Sequence, residues 1–144
     1  MNATISNLPN IDDLEAALAE KPQANIPVTH NYAPGLYIRQ VTIPAGCMLT
    51  SMEHLTEHPF IISKGKILVT SETEGSVTYT APHVGITQPH TRRALFAIEE
   101  TVWTTFHITD LTDPIAIGLK ILARPSNPQL PSHPELWRNN PSLT

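Results

Sequence analysis

Cysteine is almost missing from this sequence. A single Cys47 among 144 residues excludes an intramolecular disulfide and any zinc site built on paired thiolates. Such a chain suits a reducing compartment. Charge is scarce too: charged residues make up 15% of the chain and the net charge is -4. The nine Lys and Arg are scattered, so no basic patch exists to hold a polyanion, and nucleic acid is not expected as a partner. No run of about 18 apolar residues occurs, so no membrane span is expected. The opening MNATISNLPN lacks the apolar core of a signal peptide, and the expected location is the cytoplasm.

The chain does contain a series of short apolar runs of strand length. They are LYIRQVTIP (36–44), FIIS (60–63), KILVTSE (66–72), SVTYTAP (76–82), HVGIT (83–87), RALFAIE (93–99) and VWTTFHITD (102–110). Turn residues such as Lys64-Gly65 and Glu74-Gly75 separate them. Many short strands at this spacing predict an all-β sandwich or barrel. Ahead of them, NIDDLEAALAEK (10–21) predicts one short helix. Ile11, Leu14, Ala17 and Leu18 fall on one face, Asn10 can cap the start, Asp12 and Asp13 favour its positive end, and Pro22 stops it. Residues 22–35 are expected to be extended and irregular.

The segment DPIAIGLKILAR (113–124) reads two ways. Asp113-Pro114 is a good helix start, whereas the alternation of Ile115, Ile117, Leu119 and Ile121 suits a strand. Beyond Arg124, Pro125, Pro128, Pro131, Pro134 and Pro141 exclude a regular helix or a central strand. Leu130, Leu136 and Trp137 mark that tail as an extended arm able to dock on its own barrel or on a neighbour. The expected organisation is a helix and arm over 1–34, a barrel over 35–124 and a Pro-rich tail over 125–144.

Seven histidines stand out in a chain so poor in charge. Two of them frame HLTEH, His54 to His58, which matches the H-x-x-E-H signature of a class of zinc proteases. That signature needs a helix, because only helical i, i+4 spacing brings both rings onto one ion. Pro59 disfavours helical geometry at His58, and the residues after it, FIIS and KILVTSE, are strand-like. The alternatives left are two ligands at the mouth of a small barrel, or two loop histidines in solvent.

Between strands, the stretch IPAGCMLTSMEHLTEHPFIISKGKILV resembles the first motif of the cupin superfamily, small double-stranded β-helix barrels of the jelly-roll type. Gly46 takes the opening glycine's place, His54 that of the second histidine, His58 that of the glutamate, and Gly65 closes the motif. Met52 stands where the first histidine is expected. The second motif is fainter: Pro89 fits, but Thr91 and Ala94 occupy its glycine and histidine places. The stretch 36–110, about half the chain, is also similar to small cupin-like proteins of tailed phages, through H-x-T-E-H before IISKG, a P-x-T-x-R turn and E-x-T-V-W-T-T-x-H.

The resemblance implies a single double-stranded β-helix and, at its mouth, a divalent transition metal such as iron, nickel, zinc or manganese. A hairpin pairing residue 98 with 102 would set His107 opposite Arg93, making His107 the candidate third ligand beside His54 and His58. Catalytic residues cannot be named. Strand alternation puts Thr56 on the face of His54 and His58 and turns Glu57 away. It also turns one of Arg92 and Arg93 inward, where it could grip a small anionic ligand.

Two function classes are open. One is a metal-dependent enzyme of oxygenase or isomerase type. The other is a non-enzymatic phage protein serving structure, assembly or ligand sequestration, located in the host cytoplasm or the virion. A homodimer formed through sheet edges is expected in either case.

Overall fold

A computed structural model of the chain describes residues 11–20, 25–72 and 75–122. Asn10, Pro22 and the Pro-rich tail lie outside the described residues. Among the described residues one helix, α1 (Ile11–Ala19), precedes nine strands. These are β1 (Val28–Ala33), β2 (Leu36–Ile43), β3 (Met48–Thr50), β4 (His58–Lys64), β5 (Lys66–Ser71), β6 (Gly75–Thr80), β7 (His83–Thr87), β8 (Arg93–Ala97) and β9 (Thr101–Ile108). A second helix, α2 (Pro114–Ile121), comes after them.

The strands form two antiparallel sheets, ordered β1-β2-β9-β4-β7 and β3-β8-β5-β6. The topology is a long hairpin rolled up. β5 pairs with β6, β4 with β7, β3 with β8 and β2 with β9. Successive pairs fall alternately in one sheet and the other, and the β4–β9 and β5–β8 pairings close the roll. This is the double-stranded β-helix that the motif resemblance implies.

One expectation fails. β8 and β9 do not form a hairpin; they lie in opposite sheets, because the chain crosses the sandwich between them. His107 therefore pairs with Tyr37 on β2, not with Arg93. Residues 28–33 are extended as expected, but they are paired to β2 as an edge strand. Residues 114–121 form a helix. Asp113 is the N-cap, its carboxylate accepting from the Ile115 and Ala116 amides, and Pro114 occupies the first turn, where its missing N–H costs nothing.

Alternation along each strand builds the interior. Val41, Ile43, Phe60, Ile62, Ile67, Val69, Leu95, Ala97 and Trp103 form one buried cluster between the sheets. The Phe60 and Trp103 rings stack at its centre, 4.6 Å between centroids. That cluster fills one end of the roll. At the other end the inward residues turn polar: Arg39, Ser51, His58, Ser71, Thr87, Arg93, Thr105 and His107. The two described helices pack at different places on the roll. α1 packs on β3 and β8, burying Ile11 completely, and α2 closes over Tyr37 through Ile117 and Ile121.

Two glycines hold the frame. Gly65, between β4 and β5, has φ +96°, and a Cβ there would lie 2.7 Å from the Thr101 Cα. Gly85 on β7 lies under the Phe60 ring, which a Cβ would meet at 2.6 Å. Gly46 also has a positive φ, +82°, but has open space around it. Urea unfolding should separate strain from clash. Gly46→Ala is expected to lose about 1 kcal/mol from backbone strain alone, and Gly65→Ala about 3 kcal/mol from strain plus the clash. Equal losses would contradict this packing.

Candidate metal centre

The first histidine of the site enters from an irregular segment. His54 lies beyond β3 and is fastened on two sides. The Leu55 amide donates to the Ile121 carbonyl at 2.7 Å, and the His90 amide donates to the His54 carbonyl at 2.7 Å. His54 also makes an isolated bridge to Leu122. The end of α2 and the Pro89-His90 turn thus clamp the segment. His90 holds its left-handed φ of 65° there, with its ring against Glu53 at 2.7 Å in the exposed turn.

His58 and His107 come from regular strands. Each faces inward by alternation, His58 beside Phe60 on β4 and His107 beside Thr105 on β9. All three histidines are buried, at 5%, 3% and 3% exposure for His54, His58 and His107. One ring nitrogen from each lies within 4.8 Å of the other two. The rings pack on one another, with centroids 4.5 Å apart for both His54–His58 and His58–His107, and 5.6 Å for His54–His107.

Burial without a carboxylate decides the protonation state. Desolvation drives all three pKa values down: His107 to about 3, His54 well below its ordinary value, and His58 below it. Mutual repulsion and Arg39 push His54 and His107 further the same way, and Arg93 does so for His58. At neutral pH the site therefore holds three uncharged imidazoles.

Their hydrogen bonds leave lone pairs to spare. His58 Nδ1 lies 3.2 Å from the Thr56 carbonyl, to which it donates, leaving Nε2 as an acceptor. His107 Nε2 meets the Thr105 hydroxyl at 3.0 Å, and its Nδ1 is fully buried with no hydrogen-bond partner among the described residues. A buried nitrogen left unpaired is costly. Three neutral imidazoles with such an orphaned atom fit a divalent transition metal, for which neutral imidazole is a standard ligand.

His54 and His58 border a pocket with about 300 Å³ of empty space, its open mouth included. Ser51, Thr87, Thr105, Arg93 and Trp103 are among its walls. Arg93 leans over the Phe60 ring, 5.3 Å from its centroid. Arg92 does not line this pocket. Thr56, expected on the site's face, is exposed. Residues 55–57 bend outward, so strict alternation does not hold there, and only the Thr56 carbonyl reaches a histidine. Glu57 is exposed as well.

Met52 and Ala94, which stand at two motif ligand places, both point elsewhere. Met52 packs on Leu122, and Ala94 has the opposite parity to Arg93 and Leu95. Sequence reasoning missed Tyr37 and Arg39. Tyr37 stacks on His107 and bonds His30 Nδ1 at 2.6 Å; burial, against some relief from Arg39, raises its pKa to about 12. The inward parity of residues 37, 39, 41 and 43 on β2 was the signal available for both.

No protein-family profile matches the chain, and no curated protein is similar to it in sequence. Solved structures do share its fold. An RmlC-like cupin protein of Methanocaldococcus jannaschii superposes with a TM-score of 0.51 at 15% identity, covering 62% of this chain and 86% of its own. A cupin superfamily protein of Desulfitobacterium hafniense gives 0.52 at 15%, covering 72% and 96%. A salicylate 1,2-dioxygenase of Pseudaminobacter salicylatoxidans gives 0.52 at 10%, covering 67% and 30%. At these identities the likeness is one of fold. The chain is a cupin-like jelly roll, and no described helix is long and apolar enough to cross a membrane.

The buried neutral histidines set a pH dependence. An unfolded His107 takes its proton near 6.5, the folded one only near 3. Between those values the unfolded chain binds more protons, so stability falls as pH drops. Metal-free protein should lose up to about 1.4 kcal/mol per pH unit for each withheld proton. Urea midpoints measured from pH 7 to pH 4 should show this slope, and His107→Gln should flatten it. An unchanged slope in that variant would contradict the assignment.

Proposed function

We propose that this protein binds a divalent transition metal through His54, His58 and His107 and uses the adjoining pocket to hold or transform a small polar molecule. The observation that carries the proposal is the convergence of three buried, neutral imidazoles, one with an unpartnered nitrogen. The metal, when bound with positions left open, would supply Lewis-acid or redox chemistry. The chain's own part is clearer. Thr56 and Thr105 orient the His58 and His107 rings. Trp103 and Leu95 wall the pocket with apolar surface, Ser51, Thr87 and Thr105 offer hydroxyls, and Arg93 offers a cation to an anionic group. Among the described residues no acidic side chain lines that pocket, so a proton taken from a bound molecule would leave through hydroxyls or solvent.

The cupin-like barrel supports a metal site without selecting a reaction. Oxygenase or isomerase chemistry is the enzymatic form of the proposal. Its non-enzymatic form is a phage-type cupin that sequesters a ligand or serves virion assembly in a host cell, and one observation favours association of some kind. The outer face of the five-stranded sheet presents Val84, Ile86 and Ile108, 68%, 50% and 87% exposed, an apolar patch suited to a second copy of the chain.

Metal analysis of untagged protein tests the proposal. About one ion per chain is expected in the wild type, falling to background in His54→Ala, His58→Ala and His107→Ala. A wild type that stays metal-free after exposure to iron, nickel and zinc would overturn it.

A further inference from the structure

Consecutive cross-strand partners put a row of rings on the inner face of the five-stranded sheet. Tyr32 on β1 pairs with Tyr37 on β2, and Tyr37 pairs with His107 on β9. On β4 the row continues: Phe60 pairs with Thr105, so His58 falls across from His107. Ring centroids are 5.5 Å apart for Tyr32–Tyr37, 5.8 Å for Tyr37–His107 and 4.5 Å for His107–His58. The first two pairs are stacked. The row begins on an edge strand, where Tyr32 is 38% exposed, and ends in the buried triad. Between the two ends α2 packs over Tyr37.

Packing accounts for stacked rings on neighbouring strands. It does not account for the group that Tyr37 bonds. A buried phenol needs a hydrogen-bond partner, and a backbone carbonyl would serve. Here the partner is His30 Nδ1 at 2.6 Å, on a ring stacked 5.8 Å from that of Tyr37. A carbonyl cannot keep a proton at neutral pH, whereas an imidazole can. The difference matters for oxidation. A phenol that loses an electron becomes a strong acid, and its proton must leave at once. His30 is already in place to take it. Trp103, the oxidisable ring on the pocket wall, leads inward instead: it stacks on Phe60 in the core.

We propose that Tyr37 and Tyr32 form a redox relay, with His30 as the proton acceptor of Tyr37, that carries oxidising equivalents from the triad to the protein surface. The step at the triad rests on the metal proposal. The oxidant there is hydrogen peroxide, which takes two electrons and two protons at a redox-active metal and leaves as two waters. Tyr37 gives one electron towards His107 and its proton to His30 Nδ1. An electron from Tyr32 then refills Tyr37, the His30 proton returns, and the Tyr32 proton goes to solvent. The second electron leaves Tyr37 in the same way. Two phenoxyls result, and one ascorbate at the surface restores both by giving two electrons and two protons. The imidazoles of the triad are thereby spared.

Two experiments test the relay. In the first, metal-free protein is oxidised by photogenerated tris(bipyridine)ruthenium(III) and freeze-quenched for electron paramagnetic resonance. A phenoxyl signal is expected in the wild type. Tyr32→Phe should make it several-fold longer-lived, because the radical on Tyr37 loses its exit. Adding Tyr37→Phe should abolish that long-lived signal, and adding His30→Leu instead should lower its yield several-fold. Both phenylalanine variants keep the ring stack. Tyr79→Phe, which removes the chain's third tyrosine beside the apolar cluster, should leave the signal unchanged. A long-lived signal that survives Tyr37→Phe, an unchanged lifetime in Tyr32→Phe, or an unchanged yield with His30→Leu would each overturn the proposal. In the second experiment, iron-loaded protein meets hydrogen peroxide with ascorbate, and oxidation of His54, His58 and His107 is read by peptide mass spectrometry. It should run several-fold faster in Tyr37→Phe than in the wild type, and equal rates would overturn the relay. A wild type that takes up no iron would overturn the metal proposal and the peroxide step with it, while the first experiment still decides the phenol pair.

Discussion

Three imidazoles packed ring against ring, with no carboxylate among them, govern this molecule. A single buried histidine can accept a proton if an acid lies beside it. Here desolvation, the neighbouring rings and two arginines all act against protonation, and nothing nearby favours it strongly. The result is a cluster of electron-pair donors that water cannot readily satisfy. His107 Nδ1 expresses the problem at one atom, buried and without a partner. In an interior built for stability alone, apolar side chains would fill that space at lower cost.

The rest of the fold makes such a cluster possible. Rolling one long hairpin into two sheets aligns the inward residues of strands far apart in sequence. One end of the roll is filled by Phe60, Trp103 and their aliphatic neighbours, which gives the polar end a rigid floor. His58 and His107 hang from adjacent strands above that floor. His54 comes from outside the ladder and is pinned by α2 and the Pro89-His90 turn. The helix therefore does more than cover Tyr37: the Ile121 carbonyl at its end fixes the segment that carries the third ring. Arg39 and Arg93 reach the mouth by the same parity rule on β2 and β8.

Much of this was legible in the chain, for identifiable reasons. Strand runs were visible because each alternates apolar and polar residues over a short length, and Gly65 marked a turn that only glycine can make. His54 and His58 were legible as a pair through their spacing and the proline after them. His107 was reached by an incorrect hairpin; it lies at the site because it faces inward from β9, paired beside the strand that carries His58, a fact of topology that neighbouring sequence does not encode. Thr56 was misplaced because alternation was extended into a bend. Arg39 was overlooked although its parity with Tyr37, Val41 and Ile43 on β2 already turned it inward. The ambiguity of 113–124 was settled over its described part by the Asp113 cap, a local signal outweighing an apparent strand period.

The position of a bound metal is the most direct measurement. Crystals of untagged protein soaked with nickel or zinc, measured at the metal's absorption edge, would give an anomalous difference map. One dominant peak is expected, bounded by His54, His58 and His107 and about 2.0–2.2 Å from a ring nitrogen of each. A dominant peak at the exposed Glu53–His90 pair, or none between the three rings, would contradict the assignment of this cluster as a metal centre.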